Sequence, residues 1–98
     1  MKTDRAQAVA TVQVDNERVT VTEWRFPPNA ETGWHRHQFD YVVVPEADGT
    51  LTLETADGKS AQSALVAHRT YFRNAGVEHN VINASGQEFA FVEVELKS

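Results

Sequence analysis

The sequence predicts an all-β chain, a sandwich or barrel of short strands in one domain. Three observations carry that expectation. From Val9 onward apolar residues recur with a period near two, the pattern of half-buried strands. Turn-forming clusters such as Asp15-Asn16, Pro27-Pro28-Asn29, Asp57-Gly58, Asn74-Ala75-Gly76 and Ser85-Gly86 interrupt these runs, at the roughly 8–12-residue spacing of all-β domains. No window long enough for a helix shows a 3.6-residue period.

The elements follow in order. The polar residues 1–8 are expected to be a flexible N-terminal segment, and 9–98 a single β-barrel domain. Strands are placed at 9–14, 18–26, 34–45, 50–56, 60–67, 70–73, 77–84 and 87–96. Val12 and Val14 alternate with polar neighbours in the first, and Val19 and Val21 with Thr20 and Thr22 in the second. The run Tyr41-Val42-Val43-Val44 is apolar on both parities, so its strand should be covered on both faces. Leu51 and Leu53 alternate with threonines, and Asp57-Gly58 after them is a two-residue hairpin signal. Val77, His79 and Val81 share one face of the seventh strand. In the last strand Ala90, Val92, Val94 and Leu96 lie on one face and Phe89 and Phe91 on the other.

Composition excludes several function classes. The chain has 98 residues, 41% of them apolar, and a formal net charge of −5. No Lys/Arg cluster offsets that charge, which argues against a nucleic-acid partner. The longest apolar runs are too short for a membrane span or a secretory leader. With no cysteine there can be no disulfide framework or thiolate metal site, and a cytoplasmic location is the default.

The chemistry is concentrated in the histidines. His35 and His37 stand two apart, so on a strand both imidazoles leave one face and can reach one metal ion. Neutral imidazole is a common ligand for divalent transition metals. His79 lies on the inward parity of a later strand, within Gly76-Val77-Glu78-His79-Asn80-Val81-Ile82-Asn83. His68 reads as an exposed turn residue, and Arg36 and Gln38 as outward-facing. Asn83 reads as a strand-end polar residue.

These elements resemble the two motifs of the cupin superfamily. The first is matched by Gly33-Trp34-His35-Arg36-His37, followed by Gly49. The second is matched from Gly76 to Asn83, with Asn74 where the family has Pro. The resemblance spans about residues 18–96. It implies a jelly-roll β-barrel of two antiparallel sheets, with one divalent transition metal (Fe, Mn, Ni or Zn) on His35, His37 and His79. The stretch Glu23-Trp24-Arg25-Phe26, taken with the Gly33–His37 element, is also similar to small bacterial cupins associated with β-alanine catabolism, a likeness that implies no particular reaction.

One departure matters. The family's Glu ligand after the histidine pair is absent. Asp40 suits a hard ion chemically, Tyr41 has the inward parity, and a water could complete a three-histidine site; the sequence leaves all three open. Asp40 and Tyr41 are therefore also the candidate catalytic residues, as proton donor or acceptor. Phe39, Tyr41, Val43, Leu51, Leu53, Val77 and Val81 are expected to line a small apolar pocket, with Trp34 and Phe72 near its mouth.

The resulting expectation is a small metal-binding cupin acting on, or binding, a small organic molecule. The alternatives are a non-catalytic metal-dependent binding or sensing module, and a structural barrel with a vestigial site. A homodimer is expected as well. On the parity above, Trp24, Phe26, Phe89, Phe91 and one side of the apolar run at 41–45 would face water, and a second copy would cover them. The opposing possibility is a β-bulge that turns them into the core.

Overall fold

Nine strands make two antiparallel sheets in the computed structural model, which describes residues 5–97. The five-stranded sheet runs β1 (Val9–Asp15), β2 (Val19–Phe26), β9 (Phe89–Leu96), β4 (Asp40–Pro45), β7 (Tyr71–Arg73). The four-stranded sheet runs β3 (His35–Arg36), β8 (Glu78–Ile82), β5 (Gly49–Thr55), β6 (Ser60–Leu65). Both contribute to one core, with Phe26, Phe91, Tyr41 and Val43 from the first sheet packed with Leu51, Leu65 and Val81 from the second. This is the jelly-roll expected from the sequence.

Three local readings change. The strand expected over 34–45 is two strands in different sheets. β3 ends at Arg36, and the chain crosses to the other sheet before β4 begins at Asp40. The Asp57-Gly58 hairpin has a three-residue loop, closed by Thr55 N–H donating to Lys59 O, with Gly58 at φ 80°. That left-handed residue supplies the bulge that loops of this length need. The expectation of a flexible end lies outside the described residues for Met1–Asp4. Beyond them, Ala8 N–H donates to Glu31 O, Glu31 N–H donates to Ala6 O, and Arg5 pairs with Glu31 at 3.3 Å.

The inward face of β2 and β9 is the opposite of the one the sequence suggested. The β2–β9 ladder is regular from Val19↔Leu96 to Phe26↔Phe89, with no bulge. Phe26, Phe89 and Phe91 are buried in the core, and Trp24 packs against it. Val19, Val21, Val92, Val94 and Leu96 are at best half-buried. Aromatic side chains bury roughly 150–250 Å² each, so they win the core when they compete with valine. Gly49 shows how close this packing is: a Cβ there would lie 2.7 Å from the Phe89 ring.

A candidate metal centre

Three imidazoles converge inside the barrel. His35 and His79 are direct cross-strand partners in β3 and β8, so their side chains leave the same face of the ladder. Gly33, at φ 87°, makes the turn into β3 that glycine adopts without strain. The turn is pinned by its N–H donating to Asn80 Oδ1 at 3.0 Å. His37 lies just beyond β3. Its N–H donates to Val77 O and its carbonyl accepts from Gly76 N–H, which holds its ring over the same point although the strand has ended.

The distances suit one ion. His35 Nε2 lies 3.1 Å from His37 Nε2, and His37 Nε2 lies 3.3 Å from His79 Nε2. With metal–nitrogen bonds of about 2.0–2.1 Å, neighbouring ligands stand about 3.0 Å apart in an octahedron and about 3.4 Å apart in a tetrahedron. The other nitrogen of His35 is 3.0 Å from Gly33 O and 3.3 Å from Thr32 Oγ1. That outer contact leaves Nε2 free to ligate and fixes the ring's tautomer and tilt. The donor set therefore fits a borderline divalent metal, as the family resemblance implied.

Burial disfavours the charged form of two of the three imidazoles. Desolvation, then the charges of His35 and Arg73, lower His37 to about 4. Desolvation, then His35, His37 and Arg73, lower His79 to about 3. Neutral imidazole is the ligating form.

Tyr41 and Asp40 part company. Tyr41 is buried, and its ring stacks on His37 with centroids 3.9 Å apart and planes 18° from parallel. Burial pushes its phenol well above the usual range, so it stays protonated. Asp40 accepts a hydrogen bond from Ala75 N–H at 2.7 Å and does not join the histidine group. His68 is exposed at a turn with φ 67°. Arg36 and Gln38 face outward. Asn83 is fully enclosed, its amide donating to the carbonyls of Phe26, Pro27 and Gln87.

The sequence reading missed Glu93. On β9 it shares the inward face of Phe91, and its Oε2 lies 4.0 Å from His37 Nε2. That separation is too long for a hydrogen bond. Among the described residues Glu93 groups with His37 and Glu95 rather than with all three histidines. It stands beside the three histidines, nearest to His37. Burial, then the charge of Glu95, raise its carboxyl to about 7, against a hydrogen bond from Trp24 that lowers it. Assigning the face of β9 from its phenylalanines would have shown an inward carboxylate here.

Next to these groups is an internal cavity of about 20 Å³, enough for about one water. Of the expected lining, Tyr41, Val43, Leu51, Leu53 and Val81 do line it; Phe39 and Val77 do not. Trp34 and Phe72 are exposed and stand outside it. Glu93, Tyr71 and Arg73 complete the polar part of the wall.

No protein-family model matches the chain. Among solved structures, a cupin domain from Bordetella pertussis Tohama I is 60% identical, with a TM-score of 0.95, covering 99% of this chain and 100% of that one. The chain is a cupin. An RmlC-like cupin with a double-stranded β-helix fold from Methanocaldococcus jannaschii shares that fold at 17% identity and a TM-score of 0.75, covering 98% of this chain and 85% of that one. The beta-alanine degradation protein BauB of Pseudomonas aeruginosa is 67% identical over 93 residues, 95% of this cupin and 97% of that protein.

Proposed function

We propose that this cupin holds one divalent transition metal on His35, His37 and His79 and turns over a small organic molecule in β-alanine breakdown. The observation that carries the metal is the convergence of the three Nε2 atoms at 3.1 and 3.3 Å. The metabolic setting rests on the name of the 67% identical relative. A metal bound there would supply Lewis acidity or oxygen activation at its open positions. The chain's own groups exclude water and manage protons. Tyr41 keeps its phenolic proton against the His37 ring. Glu93, in the cavity wall, can take or give one near neutral pH. The absence of cysteine makes the cytoplasm the natural compartment.

The test begins with protein purified without an affinity tag. Elemental analysis should find about one equivalent of Fe, Mn, Ni or Zn. Three-carbon acids, alcohols and amines should then be screened for conversion by NMR, with an oxygen electrode in parallel. Metal-dependent conversion of one of them is the expected result. Absence of bound metal overturns the metal reading, and full metal without any conversion turns the protein into a binding or sensing module.

The homodimer belongs to the same proposal, with the 41–45 run kept from the face the sequence suggested and the aromatic residues of β2 and β9 removed from it. One cross-strand row runs Val14–Val21–Val94–Val42–Phe72 over the outer face of all five strands of its sheet. Val14 is 43% exposed and Phe72 53%. A second copy is the occupant that fits. Arg25 at the rim is paired with Glu23 and Glu88, which offsets part of the repulsion that a net charge of −5 imposes between two copies. Light scattering at micromolar concentration should give twice the chain mass, and Val94→Glu should halve it. A single-chain mass for the parent protein contradicts the dimer.

A further inference from the structure

We propose that Arg73 is the anion-docking group of the barrel cavity, and that the molecule bound there is a short-chain monocarboxylate. This deepens the reading above and rests on it for the far end of the ligand, which would face the histidine centre. The starting point is the row that crosses β9, β4 and β7 as Glu95–Tyr41–Arg73. Tyr41 is an inward residue of that row, so Arg73 is directed inward too, whereas its neighbour Phe72 is exposed on the outer face.

Arg73 lines the same cavity as His35, His79 and Glu93. Much of the remaining wall is apolar: Val43, Leu51, Leu53, Val81 and Phe91. Thr32, also in the wall, is already engaged, its hydroxyl donating to Gly33 O and accepting from Val81 N–H. Arg5 and Arg25 are ion-paired, yet among the described residues Arg73 makes no ion pair. Its close contact is the Tyr71 ring, with the guanidinium carbon 5.7 Å from the ring centroid. Packing against a ring supports the flat face of a guanidinium and leaves its edge donors unused.

A half-buried guanidinium in an apolar wall calls for a planar anionic acceptor, and a carboxylate matches its fork with two parallel hydrogen bonds. The surroundings limit the charge and the size. Glu93 and Glu95 approach the same region, so a dianion would be repelled where a monoanion is tolerated. At about 20 Å³ the cavity as it stands holds about one water, so a ligand of about five or six heavy atoms enters only if the Arg73 side chain swings aside, which keeps the ligand short. A chain of two or three carbons then reaches from the guanidinium towards the histidines.

The probes are propionate and 3-hydroxypropionate, with propionamide as the uncharged control. Each is titrated into metal-free and zinc-loaded protein, followed by the fluorescence of Trp24 in the cavity wall and by the Arg73 side-chain N–H resonance. Both carboxylates should bind and shift that resonance, and propionamide should not. Arg73→Gln should weaken the carboxylates about tenfold or more, the scale of a lost charge-assisted hydrogen bond. Arg73→Lys should recover part of the affinity. Circular dichroism confirms that the variants fold. Equal carboxylate affinity in Arg73→Gln and the parent overturns the inference, as does equal binding of propionamide. The metal reading fails separately, by absence of zinc uptake, because the metal-free titration reads Arg73 on its own.

Discussion

Two ends of one barrel are built from the same strands and do opposite things. β9 places Phe89 and Phe91 at one end and Glu93 and Glu95 at the other. β8 carries His79 beside His35 near its start, and Asn83, just past its end at Ile82, lies against Phe26, Pro27 and Gln87. The aromatic end is closed. Phe26 is fully buried, the Phe26 and Phe91 centroids are 5.6 Å apart, and the buried Asn83 amide is hydrogen-bonded. The histidine end holds groups that burial disfavours when charged, namely two imidazoles pushed down and a carboxyl pushed up. The difference teaches where stability and chemistry reside. The aromatic end supplies the burial that holds the fold, and the strands running out of it keep ionisable groups desolvated at the other end.

The comparison can be broken most strongly at the closed end. Phe26→Ala should destabilise the protein by about 3–5 kcal/mol in urea unfolding, while the folded fraction still takes up one equivalent of metal. Loss of metal from well-folded Phe26→Ala protein would show that the two ends are not separable.

A smaller effect sharpens the other end. In the unfolded chain His37 and His79 titrate near 6.5 and Glu93 near 4.5. The lowered histidines contribute stability that is complete above about 6.5 and is lost as pH falls towards 4. The raised Glu93 contributes stability that is complete below about 4.5 and is lost as pH rises through 7. Between pH 4.5 and 6.5 folding thus releases two protons and takes up one. The metal-free protein should gain up to about 1.4 kcal/mol per pH unit across that window. Glu93→Gln removes the opposing group. Its metal-free form should exceed the parent's stability by on the order of 2 kcal/mol at pH 8, with the advantage shrinking towards pH 5. An advantage at pH 5 as large as at pH 8 would mean that Glu93 is not desolvated in the fold.

The fold was legible because strand period and turn residues are local signals. The three histidines were legible because their motifs fix both spacing and order. Two things were not. The break after Arg36 has no signal in a run whose alternation continues through it, and it is sheet pairing that ends β3. The inward face of β9 was read from valines, whereas Phe89 and Phe91 decide it by area, and Glu93 was hidden by the same inversion. Parity placed Tyr41 inward although the strand is interrupted, because β4 resumes with Tyr41 on the core side. Asp40 was attractive on chemistry alone, and the Ala75 N–H claims it.

The central claim is that His35, His37 and His79 share one metal ion. Its most direct test is zinc titration of tag-free, metal-stripped protein at pH 7.5 by calorimetry, alongside His35→Ala, His37→Ala, His79→Ala and His68→Ala. The account predicts one equivalent bound by the parent and by His68→Ala, and stoichiometric binding lost in each of the other three. Binding that survives His79→Ala but disappears in His68→Ala would contradict it.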